Sequence, residues 1–309
     1  MRAPVWSKAF VVAVMAGVWG VGQWSAPPEA LAQCKRQCGP GEKRDGKGCC
    51  VSDGSQKPSQ PQPVQPAAAA PSCPTGMVGI PGGTYTLGER KDSAKVKAFC
   101  LDKTEVTIDA YTACVKAGAC TEPDPYRNDQ SFRAACNWQR PGAALHPVNC
   151  VDWSQAMSFC GWASKQVPSE EEWEWAARGG DRATTYPWGN DAPSANKLNA
   201  CGSECTTWME NRLGRDYASM YWPDEDDGWP TTAPVGSFPK GANRWGVQDL
   251  AGNVSEWTSN RWSAADSDIV TRGGCWYDDV PSDVRAADRE GRARSMRLSY
   301  LGFRCARVP

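Results

Sequence analysis

Cys275 opens the stretch Cys275-Trp276-Tyr277-Asp278-Asp279, with carboxylates three and four residues further on. An ionised thiol there could act as a nucleophile or a soft-metal ligand. Like-charge repulsion from Asp278 and Asp279 raises its pKa and makes the thiolate scarce at neutral pH. The competing reading is a buried small residue or half of a disulfide. The only histidine, His146, excludes any site built from two imidazoles. Followed by Pro147 and with no identified partner, it reads as an extended turn residue rather than a general base. Hard-oxygen chemistry is better supplied. The loop Asp249-Leu250-Ala251-Gly252-Asn253-Val254-Ser255-Glu256 offers carboxylates from Asp249 and Glu256, with carbonyls of Gly252 and Val254 between them. Calcium takes six to eight such oxygens. The run Asp224-Glu225-Asp226-Asp227 is either a further oxygen source or a solvated acidic loop.

These groups belong to a chain of 309 residues with a net charge of −1. Its acidic and basic residues are interspersed, which argues against a nucleic-acid-binding face. Arg2 and Lys8 flank the start of an apolar run at 9–22, and Ala30-Leu31-Ala32 supplies small residues for cleavage, so 1–32 reads as a signal peptide. Such a run is too short for a comfortable bilayer span, and no other stretch reaches transmembrane length, so no transmembrane anchor is expected. A secreted, periplasmic or cell-surface location follows. Lipid anchoring through Cys34 is disfavoured because Gln33 is larger than the usual residue before such a cysteine. Fifteen cysteines in an oxidising compartment favour disulfides, and an odd count leaves at least one unpaired within the chain. Residues 33–53 form a small Cys-rich head containing Cys34, Cys38, Cys49 and Cys50, whose connectivity is open. Residues 54–72, rich in Pro, Gln, Ser and Ala, read as a linker. Residues 73–309 are long enough for a sizeable core.

Helical signals inside this domain are few. The segment 107–117 predicts a helix burying Ile108, Tyr111, Ala113 and Val115. Trp153, Ala156, Met157 and Cys160 predict a second with one buried stripe. Ser169 and Glu172 after Pro168 predict a capping-box helix start. Beyond Gly179, Gly, Pro and Asn punctuate the chain, and strands are predicted at Val270-Thr271 and over 302–308. An irregular α+β domain held by loops, Trp packing and disulfides is the expectation.

Several blocks then occur in order: Pro81-Gly82-Gly83-Thr84-Tyr85, Thr104-Glu105-Val106-Thr107, His146-Pro147-Val148-Asn149, Pro168-Ser169-Glu170-Glu171-Glu172-Trp173, Tyr186-Pro187-Trp188-Gly189, Gly252-Asn253-Val254-Ser255-Glu256-Trp257, Arg272-Gly273-Gly274 and Leu301-Gly302-Phe303-Arg304-Cys305. Together, over about 230 residues, they resemble the formylglycine-generating-enzyme (sulfatase-modifying factor) family, within single-domain length. The resemblance implies a C-type-lectin-like fold with little regular secondary structure. It also implies a disulfide between Cys160 and Cys305. A second family disulfide would fall at Ala177 and Ala286, where both halves are missing. One family calcium site matches Asp249, Gly252, Val254 and Glu256; a second matches Asn199, Ala200, Asp227 and Trp229.

Enzymes of this family hold copper through two cysteines shortly after the Arg-Gly-Gly block, and soft thiolates suit Cu(I). Here Asp278 stands where the first would fall, and no cysteine follows Cys275 until Cys305. Asp is a hard ligand, so copper is not expected, whereas calcium is. Cys275 replaces a residue that is usually Ser in the family, and a lone reactive thiol is the alternative to a buried replacement. The expected role is a non-catalytic module binding a protein, peptide or glycan near 276–300. A copper/oxygen formylglycine-generating enzyme and a structural envelope or surface protein are the alternatives, since fold analogy alone does not fix function.

Overall fold

The computed structural model describes residues 42–44, 50–52, 69–124, 132–213 and 226–309. The expected signal peptide lies outside the described residues, as do Cys34, Cys38 and Cys49 of the head. The chain divides into two compact units, Met1–Pro66 and Ala67–Pro309. The described part of the first is an antiparallel pair, β1 (Glu42–Arg44) with β2 (Cys50–Ser52).

The second unit places three small sheets around short helices. β3 (Met77–Ile80) and β11 (Ala306–Arg307) flank β6 (Phe99–Asp102), both antiparallel to it. β4 (Gly83–Thr86) and β5 (Ser93–Val96) form a hairpin. The largest sheet runs in the order β10-β7-β8-β9, built from Leu301–Gly302, Ser255–Arg261, Ile269–Arg272 and Glu290–Arg292. The strand predicted over 302–308 is therefore two short strands. The chain leaves β7 at Gly302 and joins β6 at Ala306, and the intervening Arg304 turns into the interior.

Each helix starts at a local cap. In α1 (Ile108–Lys116), Thr107 accepts the Ala110 N–H; in α2 (Trp153–Trp162), Asp152 and Gln155 close a capping box. In α3 (Glu170–Ala177), Ser169 and Glu172 do the same. The buried faces differ from expectation in detail. α1 buries Ile108, Tyr111 and Cys114, while Ala113 faces solvent, because Cys114 is tied to Cys120. α2 buries Gln155, Ala156, Phe159 and Cys160, leaving Met157 exposed. Phe159 stacks on Tyr111, and the Gln155 amide donates to the Thr121 and Glu122 carbonyls, so a polar residue takes a core position at little cost. A fourth helix, α4 (Ser203–Leu213), lies where none was predicted.

Two apolar clusters form most of the core. One gathers Tyr111, Phe159, Trp257, Phe303 and the Cys160–Cys305 bond; the other gathers Ile80, Phe99, Leu101, Trp173 and Trp175. Ala177 and Ala286 both lie fully buried in the second. The indole N–H groups of Trp173, Trp175, Trp257 and Trp276 each find an acceptor, so these rings add apolar area without an unpaired donor. Five disulfides join described residues: Cys73–Cys100, Cys114–Cys120, Cys136–Cys150, Cys160–Cys305 and Cys201–Cys205. They fit an oxidising, extracytoplasmic setting. No helix among the described residues is long and apolar enough to cross a membrane.

Candidate functional site

β8 ends in Arg272, and Gly273-Gly274 then turns the chain inward with positive φ angles of 101° and 68°. A Cβ on Gly274 would lie 2.7 Å from an Asp278 carboxylate oxygen, so this position needs glycine on both counts. Cys275 follows at 2% exposure and is the free cysteine among the described residues. Its N–H donates to Asp278 Oδ2 at 2.8 Å. Burial pushes the thiol well above its ordinary pKa, and the Asp278 charge adds to the effect. The repulsion read from the sequence thus comes from Asp278, with Glu290 rather than Asp279 as the second carboxylate, and it is second to desolvation. Asp278, Asp283, Asp288 and Glu290 face a cavity of about 30 Å³. Burial, then the charge of Asp283, raises Asp278 to about 7; burial and the same neighbour raise Asp288 to about 6.

A raised carboxyl pKa stabilises the fold while the group is protonated. That stability is present below the unfolded value near 4 and is lost as pH rises to about 7. Asp278→Asn keeps an acceptor for the Cys275 N–H but cannot ionise. The variant is expected to match the wild type near pH 4 and to exceed it by roughly 4 kcal/mol above about pH 7. Denaturant midpoints measured across that window check the trend; parallel profiles would refute it.

Around the loop 249–256 the structure assembles a buried charge cluster. Glu256 accepts from Arg304 at 2.7–2.9 Å through both oxygens, and from the Trp173 indole at 2.9 Å. Asp249, in a left-handed conformation, accepts the Gly236 N–H at 2.6 Å, and its carbonyl accepts from Arg304. Glu105 Oε1 accepts from Asn253, while Oε2 has no hydrogen-bond partner at 2% exposure. Three carboxylates thus surround one guanidinium, and burial raises the pKa of Glu105, Asp249 and Glu256. Burial favours the protonated acids here, and a hard cation near Asp249, Gly252 and Val254 would take the place of those protons, although Glu256 is already committed to Arg304.

Gly252 and Asn253 bring the second oxygen set alongside. The Asn253 N–H donates to the Asn199 carbonyl at 2.9 Å, and a Cβ on Gly252, at φ 75°, would lie 2.1 Å from that oxygen. Asp227 accepts the N–H groups of Ala200 and Trp229 at 3.0 and 2.9 Å. Asn199 is 1% exposed; its amide nitrogen donates to the Thr231 carbonyl, and its Oδ1 has no partner. Burial, then Glu204, raises Asp227 to about 8. A buried orphan oxygen beside a carboxylate with no basic partner fits a calcium ligand set. Among the described residues no three His, Cys, Asp or Glu side chains converge as metal ligands, so main-chain and amide oxygens would have to complete either set.

His146 also lies in this region. Its ring meets Trp229 edge-on at 5.5 Å. Nδ1 lies 3.2 Å from the Arg140 guanidinium, which can only donate, so the ring proton sits on Nε2. Burial and Arg140 lower its pKa to about 4, which keeps it neutral.

The sulfatase-modifying factor enzyme 1-like domain model matches residues 62–309. The chain belongs to the sulfatase-modifying factor family. This family member is 29% identical to bovine formylglycine-generating enzyme, over 93% of its own length and 90% of the relative's. It is 38% identical to bovine inactive C-alpha-formylglycine-generating enzyme 2, over 54% of this chain and about half (53%) of that one. PvdO from Pseudomonas aeruginosa shares the fold with a TM-score of 0.55 and 25% identity, over 74% of this chain and 93% of PvdO. CarF matches in fold alone, with a TM-score of 0.52 and 19% identity, over 76% of this chain and 99% of CarF. The fold is thus the irregular, C-type-lectin-like one of the formylglycine-generating enzymes. Glu105, Arg304 and Glu204 were not singled out from the sequence of this sulfatase-modifying-factor domain. The first two lie inside the Thr104-Glu105-Val106 and Gly302-Phe303-Arg304 blocks, where a charge next to an apolar residue is the available signal.

Proposed function

We propose that the domain is a non-catalytic binding or accessory module of its family, exported through a cleaved signal peptide. The carrying observation is Cys275, a single buried thiol next to Asp278, with Cys305 already bonded to Cys160. Two-thiolate copper chemistry has no second sulfur on this segment. The partial match to a relative named inactive supports the same reading. A half-buried aromatic surface of Phe132, Trp208, Tyr277 and Tyr300, with Arg292 over Tyr300, suits a protein, peptide or glycan partner. The test is incubation of the oxidised, purified protein with copper and a Cys-x-Pro-x-Arg peptide. No aldehyde product should be seen by mass spectrometry; an aldehyde that disappears in Cys275→Ser would replace this reading with the enzymatic one.

Calcium belongs to the proposal as a structural ion. Asn199, Asp227 and the carbonyls of Ala200 and Trp229 would hold one ion. Asp249, Glu256 and the carbonyls of Gly252 and Val254 would hold another, supported by the surplus of buried carboxylates. An ion that binds only the folded state adds about 2.7 kcal/mol at about a hundredfold excess over its dissociation constant. Thermal melting should therefore shift upward with calcium, and by less in Asp227→Asn. A melting temperature unchanged across millimolar calcium would count against both sites.

A further inference from the structure

We propose that Glu204, on the first turn of α4, is a further ligand of the cation site formed by Asn199, Ala200, Asp227 and Trp229. The inference rests on the calcium reading of that site and extends it by one side chain. Glu204 Oε1 is buried without a hydrogen-bond partner. Its other oxygen accepts from the Ser203 hydroxyl at 3.4 Å. The carboxylate lies within side-chain hydrogen-bonding reach of Asp226 and Asp227, a contact between acids that only a shared proton or a cation makes favourable. None of these three acids has a basic partner among the ion pairs of the described residues. Glu170 and Glu174, by contrast, are neutralised by Arg272, Arg289 and Arg178.

An independent observation points to the same place. Asn199, almost wholly buried, keeps an unpartnered Oδ1 beside the Asp227 loop. A hard cation would satisfy two orphan oxygens on different segments and take the place of the proton that the neighbouring acids otherwise share. The Cys201–Cys205 bond explains how α4 delivers its side chain. It closes a loop of sequence separation 4 next to Asn199-Ala200, and Cys201 N donates to the Asp278 carbonyl at 2.9 Å. Glu204 is thereby held one residue from a fixed cystine. The resulting set has two carboxylates, one amide oxygen and main-chain carbonyls, which suits calcium rather than a soft or strictly octahedral metal.

The experiment uses the full oxidised protein and terbium emission sensitised by nearby tryptophan, followed by calcium competition. The wild type should show sensitised emission that calcium displaces. Glu204→Gln, which keeps shape and removes charge, should weaken calcium on the order of tenfold or more. Glu204→Asp should weaken it as well, because a direct ligand loses its reach when shortened by a methylene. Circular dichroism establishes that each variant is folded. Wild-type affinity in Glu204→Gln would overturn the role of Glu204 while leaving the site standing, and full affinity in Glu204→Asp would assign the effect to charge at a distance. Absence of terbium and calcium binding in the wild type would overturn the site itself.

Discussion

Replacing both Cys160 and Cys305 with alanine is expected to lower the stability of the domain by about 5 kcal/mol. The two residues are 145 apart in sequence, and a crosslink over so long a loop removes much conformational freedom from the unfolded chain. Both are fully buried in the cluster around Tyr111, Phe159 and Phe303, so packing is lost as well. Set against a total stability of about 5–15 kcal/mol, the variant would be near the limit of folding. The Cys201–Cys205 bond, with a sequence separation of 4, serves as the internal control. Its removal should cost about 2 kcal/mol by the same relation. Guanidinium unfolding without reductant measures both; equal shifts, or no shift for the long-range pair, would refute the ranking.

Arg304→Met should be the most damaging single substitution in the interior, with an expected loss of about 3–5 kcal/mol. The guanidinium is fully buried and engages Glu256 through both oxygens while also donating to the carbonyls of Asp102 and Asp249. Without it, Glu105, Asp249 and Glu256 would share an interior with no cation. Their folded-state pKa values would rise further, so the remaining stability would be greatest at acidic pH and fall as pH rises. Arg304→Lys should rescue only part of the loss, because an ammonium cannot reproduce the fork. Urea midpoints at acidic and neutral pH decide the matter. A midpoint at neutral pH equal to the wild type would contradict the role given to Arg304.

What was legible in the sequence was mostly local. Ser169 and Glu172 lie three residues apart and close their capping box within one turn, and Asp278 lies three residues from the Cys275 N–H it accepts. The glycines of the Arg-Gly-Gly and Gly-Asn-Val-Ser-Glu-Trp segments turn the chain at the thiol and at the oxygen-rich loop with positive φ. The charge cluster was not legible in the same way. Asn253 reaches Glu105 across 148 residues and Arg304 reaches Glu256 across 48, and no local pattern says which charged residue will be buried. α4 escaped for a different reason. Its buried Cys205 and Met209, with half-buried Trp208, are spaced i, i+4 and i+3, but the rest of Ser203–Leu213 is polar and a disulfide rather than an apolar stripe anchors its start. On α2, spacing assigns Met157 to the core, yet Gln155 takes the buried position because the Thr121 and Glu122 carbonyls satisfy its amide.

Copper affinity bears most directly on the proposal that this family member is not a formylglycine-generating enzyme. Cu(I) held by two thiolates requires two free sulfurs within reach, and the segment after Gly274 holds one, buried and kept protonated by its surroundings. Titration of the oxidised protein with Cu(I) against a competing chelator should show no tight, stoichiometric binding, and Cys275→Ser should leave the curve unchanged. Tight binding of one Cu(I) per chain, abolished in Cys275→Ser, would contradict the non-catalytic reading.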